Sequence, residues 1–448
     1  MQLLTRVPGR QVILAFGLTI IVGALLLSQP VSGRQHRIPF VDALFTATSA
    51  VCVTGLTVVD TEKDYTRFGQ IVILTLIQLG GLGVMTFMTA LFAAVGARMS
   101  YHERLGLTQS LGSGKPLHFK SLLKAVLLIT FGIEAIGALL LFVKLQDQFA
   151  APDAAFHAVF HAVSAFCNAG FSTFSTNLEA FHNDIPVILI IGSLIVAGGL
   201  GFAVIRELAD RAIHPRSTLS LHSKLSIIST TVLLAAGTVI FYLVERRSAY
   251  AGMSLGDKLA NAFFQSVTPR TAGFDTIAQG SLTDVSILII IILMFIGACP
   301  GSTGGGIKAT TMSVISLLVW NRFVGRSSVT AFRRSITVES IVQAITVFIL
   351  ASLVILLMFG ALMFVQERAT PHSAGGDWFV QHLFETVSAF GTVGLSLGLT
   401  PSLSTGGKIV IILTMFIGRV GLLTLAFALA RLPKRGEIVF SEESVMVG

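Results

Sequence analysis

The chain has 448 residues, of which 53% are hydrophobic and only 12% charged, and its mean hydropathy is +0.82. That balance lies far outside the soluble globular range and predicts an integral membrane protein whose surroundings are a lipid bilayer. The formal net charge of +8 does not mark a nucleic-acid binder, because the basic residues are distributed over alternate loops rather than gathered on one face.

Nearly uncharged runs of crossing length, about 20 residues, occur near 11–29, 69–95, 121–143, 185–205, 225–244, 283–297, 341–365 and 408–430. The first ends at Gln29-Pro30 without a small-residue cleavage site and is expected to be a retained span. Arg98, Arg104, Lys115 and Lys120 follow the second run, Arg206, Arg211, Arg216 and Lys224 the fourth, and Arg322, Arg326, Arg333 and Arg334 the sixth. Arg6, Arg10, Arg431, Lys434 and Arg435 lie at the two ends. With eight spans all these segments fall on one side, so the positive-inside rule makes both termini cytoplasmic. Cys52, Cys167 and Cys299 are too few and too scattered for a disulfide framework or a metal cage, and are expected to be small packed residues.

Between the spans one phrase recurs four times: Phe45 to Leu56, Phe160 to Phe171, Phe263 to Phe274 and Phe384 to Leu395. Each has a Phe ten residues before a Gly that is followed at once by a large apolar residue. The glycines, Gly55, Gly170, Gly273 and Gly394, are 115, 103 and 121 residues apart, which divides the chain into units 1–97, 98–206, 207–321 and 322–431 with a tail at 432–448. The expected fold is all-α and membrane-integral, with four pseudo-symmetric span–pore-loop–span repeats, eight transmembrane helices in all, around a central ion pore. Each short segment is too short to cross the bilayer and reads as a re-entrant helix, with Asp42, Asp153, Asp257 or Asp377 near its start to cap free N–H groups and complement the helix dipole.

Non-helical backbone at membrane depth is tolerated where it lines water or is buried in protein. The turns Val53-Thr54-Gly55, Asn168-Ala169-Gly170, Thr271-Ala272-Gly273 and Thr392-Val393-Gly394 are therefore the candidate selectivity filter, with backbone carbonyls replacing the hydration shell of a passing cation.

The segment from Ser286 to Trp320 runs for 35 residues, roughly 52 Å as one helix against a core of about 30 Å. Gly297 to Gly306 carries one Pro and five Gly and is expected to break the helix. Gly301, Ser302, Thr303, Gly304, Gly305 and Gly306 thus form a candidate gate beneath the filter, with Lys308 either a counter-charge to it or a snorkelling residue. Arg419 stands where the other units have Gly80-Gly81, Gly198-Gly199 and Gly297, and is a candidate electrostatic brake on the path or the ion-pair partner of Glu134 or Glu385. Glu134, alone in the third span, is the candidate proton site of a coupled mechanism. His157 and His161 lie one helical turn apart, but without further clustered ligands packing near the outer mouth is expected. A Walker-type phosphate loop is a poor reading of Gly-Gly-Gly-Ile-Lys, which lacks the spacing and the preceding strand. No hydrolytic triad appears, and no enzymatic activity is expected.

The four units with CVTGL, CNAGF, RTAGF and GTVGL at the turns resemble the Trk/Ktr/HKT superfamily of potassium transporters, and GACPGSTGGGIK in the third is most similar to the bacterial KtrB-type subunit. The resemblance covers nearly the whole chain. It implies potassium (K+) held at the filter carbonyls, a homodimer with the tail at its interface, and a cytoplasmic nucleotide-binding regulatory ring of the KtrA type. Glycine at the first turn, Gly55, goes with potassium in that family, whereas Ser there goes with sodium passage in some plant members. None of the turns carries the two-glycine TVGYG pattern, so sodium (Na+) leakage, or sodium as a coupling or regulatory ion, remains an expectation. The alternative function is a sodium- or proton-coupled potassium symporter.

Overall fold

The computed structural model describes residues 8–98, 119–216, 218–369 and 377–421, and side chains within these except at 8–12, 84–98 and 119–123. The basic positions Arg6, Arg104, Lys115, Arg431, Lys434 and Arg435 and the tail 432–448 lie outside the described residues. In chain order the helices are α1 (Pro8–Leu27), α2 (Phe40–Val51), α3 (Arg67–Arg98), α4 (Phe119–Leu145), α5 (Ala151–Phe166), α6 (Ile185–Leu200) and α7 (Phe202–Ile213). They continue as α8 (Leu221–Glu245), α9 (Leu255–Val267), α10 (Asp284–Phe295), α11 (Ala309–Phe323), α12 (Val338–Ala369), α13 (Trp378–Gly391) and α14 (Thr405–Val420). A two-residue hairpin, β1 (Thr330–Ala331) with β2 (Arg334–Ser335), joins α11 to α12.

Lys124–Leu145, Leu221–Glu245 and Val338–Ala369 are long and apolar enough to cross a membrane, and α6 with α7 passes the same test as a bent pair. Large apolar side chains such as Leu139, Ile349 and Leu356 stay exposed on these helices. A water-facing surface would bury such residues, whereas a lipid-facing one has no reason to. The apolar run at 185–205 is not one straight span. It ends at Leu200, turns by 103° at Gly201 with φ +88°, and leaves as the more polar α7.

The short helices pack in a cycle. Each of α2, α5, α9 and α13 lies against the long helix that precedes it in its own unit, α1, α4, α8 or α12. Each also meets a helix of the unit before: α3 packs on α5, α6 on α9, α10 on α13, and α14 closes the circle on α2. The apolar core follows this circle. Ile411 and Met415 of α14 share one cluster with Phe45 of α2 and Ile73 of α3.

Small residues make the close approaches. A Cβ on Gly80 would collide with the carbonyl oxygen of Val51, one on Gly198 with that of Phe166, and one on Gly418 with that of Phe390. These three carbonyls all stand four residues before their repeat glycine, so the same helix-on-helix seat recurs in three units.

The aspartates at the short-helix starts act differently from the expectation. Asp42 and Asp153 make no cap hydrogen bond. Their carboxylates meet Lys408 at the start of α14 and Arg67 at the start of α3, each at 2.5 Å. Ser254 caps α9 and donates to Asp257 at 2.6 Å, while Asp377 makes no side-chain cap bond. Acidic residues in the first turns of α2, α5 and α9 still complement the helix dipoles, but two are spent on joining neighbouring units.

Candidate functional site

Each short helix ends where the sequence places a turn, and the four turns share one backbone signature. Val53, Asn168, Thr271 and Thr392 have φ of +55°, +59°, +71° and +49°. Two residues later Gly55, Gly170, Gly273 and Gly394 have φ of +98°, +69°, +72° and +96°. A β-branched residue in the left-handed region is strained, and here three of four positions carry one.

Hydroxyls hold that strain in place. The N–H of Gly55 donates to Ser49 Oγ at 3.0 Å and that of Gly394 to Ser388 Oγ at 3.1 Å. Ser164 Oγ and Thr268 Oγ1 each donate at 2.7 Å to the carbonyl after the glycine, Phe171 or Phe274. The sequence reading passed over these residues. Their signal was present, as Ser six residues before the glycine in three of the four phrases.

The four glycines meet. A Cβ on Gly55 would stand 2.5 Å from the Ala169 carbonyl oxygen and one on Gly170 2.8 Å from that of Ala272. One on Gly273 would overlap the Val393 carbonyl, and one on Gly394 that of Thr54. The sequence of neighbours, first unit to second, second to third, third to fourth and fourth back to first, is a closed ring of backbone. Only glycine combines these φ values with such approaches. Of the twelve residues singled out in the sequence, Thr54, Gly55, Ala169, Gly170, Ala272, Gly273, Val393 and Gly394 make these approaches, and Val53, Asn168, Thr271 and Thr392 stand just before them with positive φ. The hydroxyls of Thr54 and Thr392 are buried there without a hydrogen-bond partner among the described residues. Asn177, also unremarked in the sequence, lays its Nδ2 3.4 Å from both the Gly170 and the Gly273 carbonyls.

The break in the long third-unit segment falls at 296–308, between α10 and α11. Its ends are tied together, with Gly297 N–H donating to Ile307 O at 2.8 Å and Ala309 N–H to Ala298 O at 3.1 Å. The loop also bonds to the bend of α6–α7: Cys299 N–H to Gly199 O at 3.0 Å, and Phe202 N–H to Gly301 O at 3.1 Å. Thr303 Oγ1 lies 3.2 Å from the carbonyls of both Phe166 and Gly198. A Cβ on Gly304 would collide with Thr271, one on Gly305 with Thr392, and one on Gly306 would stand 3.2 Å from Gly391 Cα. The glycine run thus lies against the third and fourth turns, at a distance that side chains would forbid, while Thr303 bonds to the end of α5 in the second unit.

Two cations grip this loop, one half-buried and one buried. Lys308 Nζ donates to Gly304 O at 2.7 Å and lies 3.4 Å from Gly305 O. Arg419, 5% exposed, donates from Nη1 to Thr303 O and from Nη2 to Gly80 O at 2.8 Å. Neither Glu134 nor Glu385 is its ion-pair partner. Glu134 accepts from Gln78 Nε2 at 3.2 Å, and Glu385 accepts from Ser396 and Thr400. Below the loop, α8, α11, α12 and α14 enclose a cavity of about 490 Å³ lined by Lys308, Arg419, His222 and Gln343 among others.

His157 packs between Phe149 and Phe174 and His161 stacks on Phe174, and no group of metal-ligating side chains occurs among the described residues. The three cysteines are buried and free.

Residues 15–438 match the family model described as TrkH, cation transport protein. The chain is 39% identical over 443 residues to Ktr system potassium uptake protein B of Bacillus subtilis, covering 98% of this chain and 97% of that one. It is 37% identical to potassium/sodium uptake protein NtpJ of Enterococcus hirae over 98% of this chain and 97% of that one. Among solved structures, the potassium transporter TrkH from Vibrio parahaemolyticus shares the fold, with a TM-score of 0.73 at 21% identity over 94% of this chain and 84% of that one. The chain belongs to the TrkH family of cation transport proteins, which are transporters and not enzymes.

Proposed function

We propose that the chain takes up potassium through the centre of the glycine ring, as a multi-pass protein of the cell membrane. The observation that carries this reading is the cyclic closure of Gly55, Gly170, Gly273 and Gly394 on one another's preceding carbonyls. A ring of backbone oxygens offers a dehydrated cation a neutral, oxygen-rich replacement for water. The names of the Bacillus subtilis and Enterococcus hirae relatives, a potassium and a potassium/sodium uptake protein, support the same ion class. The Enterococcus hirae name also supports sodium as a second permeant ion.

In this reading the four units 1–97, 98–206, 207–321 and 322–431 each supply two spans and one re-entrant helix, eight spans in all, with both termini cytoplasmic. The loop from Gly301 to Gly306, gripped by Lys308 and Arg419, is the gate. Its position against the third and fourth turns supports that role, because an ion leaving the ring inward would meet it. A homodimer and a cytoplasmic nucleotide-binding ring of the KtrA type complete the proposed assembly, the word "system" in the relatives' names supporting a second component.

Flux from purified protein in liposomes tests the reading. Potassium moving down its own gradient, with no requirement for a sodium or proton gradient, is the expected result. Uptake only when such a gradient is imposed would replace the channel-like mechanism with coupled symport, and Glu134 would then be the first residue to substitute.

A further inference from the structure

The ring has fourfold likeness, but its outward limbs are not held alike. In the second and fourth units the residue two after the glycine is a serine, Ser172 or Ser396. Each serine Oγ accepts the N–H two residues further on, Phe174 or Gly398, at 3.0 Å. Each is also held from the short helix by a side chain eleven residues earlier: His161 Nε2 lies 2.9 Å from Ser172 Oγ, and Ser396 Oγ donates to Glu385 Oε2 at 2.9 Å.

The two side chains present the same chemistry. His161 Nδ1 lies 2.8 Å from the carbonyl of His157, which can only accept, so in the neutral ring Nδ1 carries the proton and Nε2 accepts from the serine. Glu385 likewise accepts on Oε2, and its other oxygen is fixed by Thr400 Oγ1. Both side chains are almost completely buried, and His161 is further fixed by stacking on Phe174 at 4.7 Å. At the same offset the first and third units have Thr46 and Phe264, and no bond from these to Thr57 or Asp275 occurs among the described residues. The order of neighbours around the ring sets the second unit opposite the fourth. The limbs of the second and fourth units are thus braced directly from the short helix by a buried acceptor, whereas the third is held only indirectly, Asp275 accepting from Gln279 Nε2 and Gln279 Oε1 from Gln265 of α9.

We propose that His161 and Glu385 are positioning residues for cation selection, pinning the limbs that follow Gly170 and Gly394 so that the ring keeps its width. This rests on the pore reading given above. A carbonyl ring discriminates between potassium and sodium only while it resists closing onto the smaller ion, and a brace two residues from the glycine acts on that stiffness without touching the ion.

The test is competitive potassium and sodium flux in liposomes with Glu385→Ala, Glu385→Gln, His161→Ala and His161→Gln. Glutamine keeps an acceptor within reach of the serine and alanine does not. The expected result is a roughly five- to tenfold fall in potassium preference for each alanine variant, the size of one lost buried hydrogen bond, and near-complete rescue by glutamine. Ser172→Ala and Ser396→Ala remove the same bonds from the limb and should reproduce the loss, so the proposal does not depend on the helix variants folding. Unchanged preference in the serine variants overturns it, as does an equal loss in the glutamine and alanine variants, which would mean a packing role. Absence of cation flux from the unsubstituted protein would overturn the pore reading itself, a result distinct from either.

Discussion

Arg419 and Thr303 lie 116 residues apart in the chain, and the guanidinium of the first donates to the backbone carbonyl of the second. Its other terminal nitrogen holds Gly80 O at 2.8 Å, so one side chain from α14 ties the glycine loop of the third unit to α3 of the first. A permanent charge at membrane depth is costly. Here it is offset by backbone carbonyls, which leaves the charge in place beside the proposed path. Arg419 is therefore a tether, but to the loop and not to a carboxylate.

Arg419→Gln should open the path. Glutamine reaches at most one of the two carbonyls and carries no charge, so the loop loses a charge-assisted bond of about 1.5–3 kcal/mol. Potassium flux from purified protein is expected to rise roughly tenfold, with little change in the potassium-to-sodium ratio. Deleting Ser302 to Gly305 should raise flux as well, and the two changes together should add little to either alone, because they act on one contact. A fall in flux with the fold preserved would assign the gate elsewhere.

Serine in place of Gly273 or Gly394 should do the opposite to selection. Both glycines have positive φ, where an L-residue costs about 1–2 kcal/mol, and the added Cβ would overlap the Val393 or Thr54 carbonyl. The neighbouring unit must move, so one substitution displaces two limbs. Competitive flux should show potassium preference reduced several-fold in both variants. Preservation of the wild-type ratio at normal expression would remove the ring from the mechanism.

Gly198→Ala and Gly418→Ala test the seat of the short helices and not the ring. In each, the new methyl would lie on a carbonyl at the end of α5 or α13, and overpacking of this kind costs about 1–3 kcal/mol. Lower unfolding temperatures of the detergent-solubilised protein are expected, with ion selectivity of the surviving protein unchanged. Alanine at Gly132 or Gly360, where nothing lies within 4 Å, is the matched control and should leave stability nearly as it was.

What was legible in the sequence was what repeats locally. Phe45 and Gly55 announce their turn because the φ values that Gly55 needs are a property of the residue itself, and four copies made the pattern visible. The break after Phe295 was legible for the same reason, since Pro300 and its glycines end a helix wherever they fall. The bend at Gly201 was not, because the apolar run continues through Phe202 to Ile205 and hydropathy averages over a single residue with φ +88°. Nor were the partners of Arg419, Asp42 or Asn177. Each contacts a residue from another unit, and pairings between units depend on how the four copies close into a circle, which no local pattern encodes.

Asp275 gives a prediction in pH. It lies in the loop between the third glycine turn and α10, outside the spans, and Gln279 Nε2 donates to it at 2.7 Å. Burial pushes its carboxyl from the ordinary 3.8 up to about 8; the Gln279 bond opposes that shift and the nearby Glu179 charge adds to it. In the unfolded chain the proton leaves near the ordinary value, whereas the folded protein keeps it until about pH 8. Between those limits the folded state binds more protons, so this group's contribution to stability is fully present below about pH 4 and declines as pH rises toward 8, above which it changes no further. Asp275→Asn keeps the shape, and with its amide oxygen still able to accept from Gln279, removes the titration. The unfolding temperature of the unsubstituted protein should fall between pH 5 and pH 9 by more than that of the variant. Parallel curves for the two proteins would mean that Asp275 is already ionised in the folded protein at neutral pH.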